Sequence, residues 1–69
     1  MNNRFGEKLK ELRLENNLSQ KDLAIKIGVG KSIISSWELG QNQPTLPSMI
    51  AIADFFDVSI DYLAGRNDY

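Results

Sequence analysis

The sequence predicts an all-α domain built from five short helices. Apolar residues recur three and four positions apart in successive segments, which is the spacing that one face of an α-helix presents. Ser, Thr or Gly precedes four of these segments, and Gly or Asn follows most of them, as expected for helix caps. No segment is predicted to form a strand.

The first predicted helix covers residues 5–16. Phe5, Leu9 and Leu12 are spaced i, i+4 and i+7, so they share one face, while charged residues form the solvated face. The pair Asn16-Asn17 ends this helix, because asparagine tolerates the left-handed backbone that closes many helices.

The second and third helices are predicted over residues 20–27 and 31–39. Ser19 is the expected N-cap of the second helix, and Asp22 follows three residues later in an arrangement close to a capping box. Gly30 is the expected N-cap of the third helix, although glycine caps less well than serine.

The fourth helix is predicted over residues 46–56. Thr45 is its expected cap, and Pro47 lies in the first turn, where its missing N–H group is harmless. The stripe expected to be buried consists of Met49, Ile50, Ile52, Ala53 and Phe56.

The fifth helix is short and is predicted over residues 60–64. Ser59 caps it and Gly65 ends it, which leaves residues 66–69 as an expected tail. Because no repeat, linker or low-complexity segment is visible, residues 1–69 are interpreted as one domain.

Residues 19–40 fit a helix-turn-helix, in which a tight turn joins two short helices. Gly28 lies at the turn, where a residue without Cβ adopts left-handed backbone at little cost. Ala24 is small where the third helix must cross closely, and Ile34 and Trp37 bury one face of that helix. In this motif the second of the two helices lies in the major groove of DNA.

Composition excludes several classes of protein. The chain has 69 residues with no Cys and no His, so disulfides and thiolate or imidazole zinc sites are excluded. No apolar run approaches the roughly 20 residues that span a bilayer, and the N-terminus lacks an apolar secretory signal. We expect a cytoplasmic protein that is not an enzyme and uses no cofactor, metal, membrane or small-molecule substrate.

The net charge of −1 argues mildly against nucleic-acid binding, for which a basic footprint is expected. The charges are unevenly distributed, however. Residues 1–39 hold seven Lys and Arg against five acidic residues, whereas residues 40–69 hold one Arg against four Asp. The acidic end would face away from phosphates, and the helix-turn-helix lies in the basic half.

The chain resembles the phage repressor and Cro type (xenobiotic-response-element type) of helix-turn-helix domain. The matching stretches are LKELRLENNLSQKDLA, IGVGKSIISSWELGQNQP and IADFFDVSIDYLAG. The resemblance implies the compact five-helix fold of lambda-repressor-like domains in a bacterial or phage-encoded transcriptional regulator. It further implies sequence-specific binding to a palindromic operator, usually as a homodimer and for repression, but says nothing about the operator sequence.

The resemblance also implies a partly buried salt bridge between Arg13 and Glu38, which would tie the first helix to the third. Arginine suits such a site because its planar fork pairs with both oxygens of a carboxylate. We expect this pair to stabilise the fold rather than to contact bases.

Four residues are candidates for contacts with DNA phosphates. The resembling family uses a glutamine at the position of Gln20 to clamp the DNA backbone. The dipole of the second helix would also attract a phosphate to this end of the helix. Lys21 lies beside Gln20, and Gln41 and Asn42 lie in the loop after the third helix. The alternative for Gln20 is ordinary solvation of the first turn. For the other three, simple surface exposure is an equal alternative.

The base-contact candidates lie on the third helix. A lysine can donate to guanine, a serine can donate or accept, and an isoleucine can contact a thymine methyl group. The candidates are Lys31, Ser32, Ile33, Ser35 and Ser36. The alternative interpretation is a polar surface that only solvates the domain. Because the helix offers no Arg and no outward Gln or Asn, one subunit should bind weakly, and two half-sites should be needed.

Phe55 and Tyr62 are candidates for a homodimer contact, although single exposed apolar residues are also normal. A competing hypothesis is a protein-interaction or antitoxin-like accessory module that retains the fold. The negative net charge and the serine-rich third helix motivate it. Asp54, Asp57 and Asp61 are interpreted as solvated or helix-capping residues rather than as a metal site.

Overall fold

The computed structural model describes residues 4–66, so positions 67–69 of the predicted tail lie outside the described residues. Within that range the chain forms five α-helices and no strand, which confirms the predicted fold class. No predicted helix boundary differs from the structure by more than one residue. The helices are α1 (Arg4–Glu15), α2 (Gln20–Ile27), α3 (Lys31–Glu38), α4 (Leu46–Phe56) and α5 (Ile60–Leu63).

Side-chain hydroxyl groups cap three of the helices. The Ser19 hydroxyl accepts the Asp22 N–H group at 2.9 Å, and the Asp22 carboxylate accepts the Ser19 N–H group at 3.2 Å. These two bonds form a complete capping box before α2. Thr45 and Ser59 cap α4 and α5 with their hydroxyl groups, whereas Gly30 gives α3 no side-chain cap.

Every helix is followed by a residue with left-handed backbone. The φ angles lie between 57° and 77° at Asn17, Gly28, Gly40, Asp57 and Gly65. Asp57 was predicted to be a solvated or helix-capping residue, but its left-handed backbone was not predicted, because aspartate is a much weaker signal for this conformation than glycine. The Val58 N–H group then donates to the Ala53 carbonyl at 3.0 Å, which closes the last turn of α4.

The core takes one fully buried large side chain from each helix. Burying such a side chain contributes about 1.5–3 kcal/mol. The five are Leu9, Leu23, Ile34, Ile52 and Leu63. Beside them the Phe5 and Trp37 rings meet edge to face with centroids 6.0 Å apart, which fastens α1 to α3. No helix within residues 4–66 is long and apolar enough to cross a membrane.

The prediction for the buried stripe of α4 was wrong at Ile50. This side chain is 44% exposed, whereas Ile52 is fully buried. Two residues advance a helix by about 200°, so the two isoleucines lie on nearly opposite faces. Because α4 is apolar almost all round, its sequence alone does not mark the face that packs.

Candidate nucleic-acid interface

The first turn of α3 presents three exposed side chains, which are those of Lys31, Ser32 and Ile33. They are held outward because Ile34 and Trp37 anchor the helix in the core against α1 and α2. An amine, a hydroxyl group and an aliphatic side chain therefore stand together at one end of α3. Such groups can donate to, accept from and make apolar contact with the edges of base pairs.

Ser35 and Ser36, the other two base-contact candidates, are half-buried rather than fully exposed. They lie in the part of α3 onto which the following chain turns. The Leu39 N–H group donates to the Ser35 carbonyl at 3.0 Å, and the Gln41 N–H group donates to the Ser36 carbonyl at 2.9 Å. The exposed surface of α3 is therefore concentrated in its first turn.

The loop after α3 turns back onto the last turn of the helix. Gly40 has a φ of 77° and turns the chain back, and Gln41 is bonded to the last turn of α3 through its N–H group. Gln41 and Asn42 are both exposed. The structure thus brings these two phosphate-contact candidates next to α3.

Arg13 and Glu38 form a two-point ion pair between α1 and the end of α3. Arg13 Nε donates to Glu38 Oε2 at 2.7 Å, and Arg13 Nη2 donates to Glu38 Oε1 at 3.2 Å. The side chains are only 10% and 5% exposed, respectively. The remaining Arg13 nitrogen, Nη1, donates to the Leu18 carbonyl at 2.8 Å, so the same arginine also holds the loop before α2.

Gln20 is half-buried and contacts the same carboxylate. Its Nε2 atom donates to Glu38 Oε1 at 3.1 Å. Gln20 remains a predicted phosphate contact, and the structure adds that Glu38 uses one N–H group of its amide. Sequence reasoning missed the contact because the two residues are 18 positions apart and an amide suits a phosphate equally well.

The first turn of α2 offers backbone donors next to Gln20. The capping box takes the N–H groups of Ser19 and Asp22, while those of Gln20 and Lys21 belong to the turn whose N–H groups have no partner inside the helix. Such groups bind anions, and the helix dipole favours negative charge at this end. Lys21 is exposed and adds a positive charge there.

The Asp22 carboxylate works against this attraction. The Ser19 backbone N–H group, aided by the Ser19 hydroxyl, holds the pKa of Asp22 below its ordinary value of 3.8, so the group is charged at neutral pH. Its charge lies one residue from Lys21 and opposes the approach of an anion to α2.

Outside α1, the charges of the described residues are unevenly distributed among the helices. Around α2 and α3 the exposed charges are three lysines and one aspartate. They are Lys21, Lys26, Lys31 and Asp22. Residues 40–65, which include α4 and α5, contain three aspartates and no basic residue. The α2–α3 side is therefore the one suited to a polyanion.

The aspartates of α4 and α5 occupy helix ends or solvent. Asp57 is the left-handed residue that ends α4, and Asp61 lies in the first turn of α5, where its charge suits the helix dipole. Across residues 4–66, no three His, Cys, Asp or Glu side chains are grouped to hold a metal ion.

The two expected dimer-contact residues differ in exposure. Phe55 is 40% exposed and stands edge to face against Phe56, with ring centroids 4.9 Å apart. Tyr62 is half-buried, and Lys8 Nζ lies 4.8 Å from the centre of its ring. Of the two aromatic rings, that of Phe55 is the more available to a partner.

Sequence comparisons agree with this geometry. A family model described as helix-turn-helix matches residues 9–63. Over 59 residues the chain is 44% identical to the HTH-type transcriptional activator BcrR of Enterococcus faecalis, covering 86% of this chain and 29% of that protein. Over 64 residues it is 34% identical to the cryptic phage CTXphi transcriptional repressor RstR of Vibrio cholerae, covering 93% of this chain and 58% of that protein. The chain thus spans less than two thirds of either relative.

The fold is also similar to that of the P22 c2 repressor, whose crystal structure contains a synthetic operator. The TM-score is 0.82 at 29% identity, and the match covers 86% of this chain and 89% of that chain.

Fold and site together define a five-helix domain in which α2 and α3 form a helix-turn-helix. The chain belongs to the helix-turn-helix family, since the family model covers most of its length. This confirms the resemblance to phage repressor and Cro-type domains. The matched relatives are transcriptional regulators, so the family is one of regulators and not of enzymes.

Proposed function

We propose that this protein is a sequence-specific DNA-binding transcriptional regulator that places α3 in the major groove. The observation that carries the proposal is the exposed first turn of α3, held outward because Ile34 and Trp37 anchor the helix in the core. The similarity to the P22 c2 repressor, solved with an operator, supports it. Residues 19–40 are the DNA-reading unit within a single domain spanning residues 1–69.

Direct recognition of bases falls to the exposed residues of α3. Lys31 donates to guanine O6 and N7, Ser32 bonds a donor or acceptor edge, and Ile33 contacts a thymine methyl group. Ser35 and Ser36 extend this surface but are half-buried, so they reach bases less readily. A good bidentate contact contributes about 1–3 kcal/mol of discrimination, and this helix offers few of them.

Contacts with the DNA backbone supply most of the affinity. The Gln20 amide, the first N–H groups of α2 and the amine of Lys21 bind one phosphate region. Gln41 and Asn42 bind another from the loop after α3. These contacts orient α3 in the groove without reading sequence.

A homodimer on a palindromic operator compensates for the weak reading surface of one subunit. Two copies of α3 then enter successive major grooves about 34 Å apart. Phe55 is the first candidate for the contact between the subunits, and the half-buried Tyr62 is the second. The regulator acts as a repressor in this proposal, as the names of RstR and the P22 c2 repressor suggest, although BcrR is named an activator.

Fluorescence-anisotropy titrations test DNA binding. An enriched duplex and a scrambled duplex of equal composition are titrated between about 50 and 200 mM salt, where the slope should be about −0.9 per neutralised phosphate. Lys31→Ala should weaken binding to the enriched duplex most. Arg66→Ala removes the same charge beyond α5 and should have little effect. Equally weak, salt-independent binding to both duplexes would refute the proposal.

An interaction module is the second candidate function. It is favoured by the apolar side chains that α4 and α5 leave exposed, namely those of Leu46, Ile50, Phe55 and Ile60. Loss of regulation after a Phe55→Ser change, together with full regulation in a Gln20→Ala/Lys31→Ala variant, would favour this module. Loss of regulation in the Gln20→Ala/Lys31→Ala variant favours DNA binding whatever the Phe55→Ser result, because Phe55 is also the candidate contact between DNA-bound subunits.

A further inference from the structure

We infer that Glu38 is a positioning residue for DNA-backbone binding, because its carboxylate sets the orientation of the Gln20 amide and so decides which group Gln20 offers to a phosphate. The inference rests on the proposed function, in which the start of α2 meets the DNA backbone. It assigns Glu38 a role in binding beyond its ion pair with Arg13.

The geometry places three hydrogen bonds on one buried carboxylate. Glu38 Oε2 accepts Arg13 Nε at 2.7 Å, while Oε1 accepts both Arg13 Nη2 at 3.2 Å and Gln20 Nε2 at 3.1 Å. The Glu38 side chain is only 5% exposed. Because two points of Arg13 hold it, the carboxylate cannot rotate without breaking the ion pair, and it presents Oε1 to Gln20 in a fixed direction.

The chemistry of the two groups then fixes the Gln20 amide. An ionised carboxylate only accepts hydrogen bonds, so the amide must turn its NH₂ group, and not its carbonyl oxygen, towards Glu38. A phosphate oxygen also only accepts. With one N–H group bound to Glu38, the second N–H group on the same nitrogen is the donor that a phosphate can use.

Removing this constraint should weaken the phosphate contact without removing Gln20. A freely rotating amide can point its carbonyl oxygen at the phosphate, where two acceptors repel, and it loses rotamer freedom when it binds. The charge of Glu38 does not itself repel DNA strongly, since the guanidinium of Arg13 neutralises it at close range.

A double-mutant cycle tests the coupling between the two residues. DNA affinity is measured for the full chain and for Gln20→Ala, Glu38→Gln and the double variant on one enriched duplex. Loss of a hydrogen bond to a charged group should make Gln20→Ala bind about tenfold more weakly in the wild-type background. In the Glu38→Gln background the same change should cost about twofold or less. Arg13 only donates and takes the one carbonyl oxygen of the new side chain, so the NH₂ group at position 38 faces Gln20 and the Gln20 amide must turn its oxygen towards it.

Gln41→Ala supplies the matched control. Gln41 is an exposed glutamine whose N–H group is bonded to Ser36 at the last turn of α3, so the effect of its side chain on affinity should be the same factor in both backgrounds. A Gln20→Ala factor that is equal in the two backgrounds would overturn the inference, even if DNA binding itself were intact.

A second variant covers the case in which Glu38→Gln fails to fold. Glu38→Asp keeps the charge for Arg13 but shortens the side chain by one methylene group and withdraws it from Gln20. It should abolish most of the Gln20→Ala effect in the same cycle. An undiminished effect in Glu38→Asp would overturn the inference.

Side-chain amide spectra of the free protein separate this inference from the proposed function. The Gln20 NH₂ hydrogens should differ in chemical shift and exchange more slowly than those of the exposed Gln43, and in Glu38→Asp they should approach the Gln43 values. Gln20 signals equal to those of Gln43 in the wild-type protein would overturn the Glu38–Gln20 bond without any DNA measurement. If the Gln20 NH₂ signals show the expected separation and slow exchange but the protein binds no DNA, the Glu38–Gln20 bond stands. The proposed function would then be overturned, and with it the role of Glu38 in binding.

Discussion

Arg13 and Glu38 join the first helix to the end of the third through a buried two-point ion pair, with 2.7 Å between Nε and Oε2. The pair contacts both helices of the candidate interface, since Glu38 is the last residue of α3 and accepts Gln20 Nε2 from α2 at 3.1 Å. Its rigidity sets how the first turn of α2 sits against α3, since Arg13 also holds the Leu18 carbonyl before α2. The same ion pair therefore stabilises the fold and positions the helices of the candidate interface.

Replacing Glu38 with alanine should reduce the free energy of unfolding by about 3–5 kcal/mol, because the charge of Arg13 is then buried without its partner. Urea denaturation followed by circular dichroism measures the loss. The double change Arg13→Met/Glu38→Leu should cost less than Glu38→Ala alone, since neither charge remains. A loss below about 1 kcal/mol in Glu38→Ala would contradict the structural role of the pair.

Gly28→Ala should destabilise the domain by about 1–2 kcal/mol, the cost of left-handed backbone for a residue with a Cβ. The φ of Gly28 is +77°, and no atom lies within 4 Å of the added Cβ, so the loss comes from the backbone alone. Thermal denaturation measures it.

Gly30→Ser is the matched change at the other end of the same turn. Gly30 has a φ of −79°, which suits any residue, and a serine hydroxyl there would supply the missing side-chain cap of α3. The free energy of unfolding should therefore rise by about a few tenths of a kcal/mol. Equal effects of the two changes would contradict the backbone explanation.

Lowering the pH should remove the contribution that the Asp22 capping bonds make to the stability of the folded protein. The pKa of Asp22 in the folded protein is below its ordinary value of 3.8. A lowered pKa adds stability that is complete above the unfolded value and is lost as the pH falls through the folded value. The difference in urea midpoint between wild type and Asp22→Asn should therefore shrink as the pH falls from 7 to below about 4. A difference in urea midpoint that stays constant over this pH range would show that protonation of Asp22 does not affect stability.

Contact between Ile33 and a thymine methyl group should contribute about 0.8 kcal/mol to the free energy of DNA binding, or about fourfold in affinity. Replacing each thymine of the enriched duplex with uracil removes that methyl group and nothing else. One position should weaken wild-type binding by this factor and leave Ile33→Ala unaffected. Uracil substitutions that act equally on both proteins would exclude the contact.

Local signals in the sequence account for most of the fold. Ser19 could be predicted as an N-cap because the first N–H groups of a helix need an acceptor close in sequence. Gly28 could be placed at the turn because glycine adopts left-handed backbone at little cost. Asp57 occupies the same conformation as Gly28 but could not be assigned, since aspartate adopts it only when the surrounding packing requires it.

The candidate site was less predictable because it depends on contacts between distant residues. The amide of Gln20 suits a phosphate or a carboxylate, and only the folded chain brings Glu38 within 3.1 Å of it. Ser35 and Ser36 were expected on the outward surface of α3, but both are half-buried. Periodicity alone does not show which neighbouring residues cover them.

Selection of bound duplexes from a random pool tests DNA recognition through α3 most directly. The wild-type protein should enrich a sequence with two related half-sites about one helical turn, or roughly 10 base pairs, apart. Lys31→Ala should lose the preference at one base pair in each half-site, while Arg66→Ala should enrich the wild-type sequence. Failure of the folded wild-type protein to enrich any sequence over the starting pool would contradict the account.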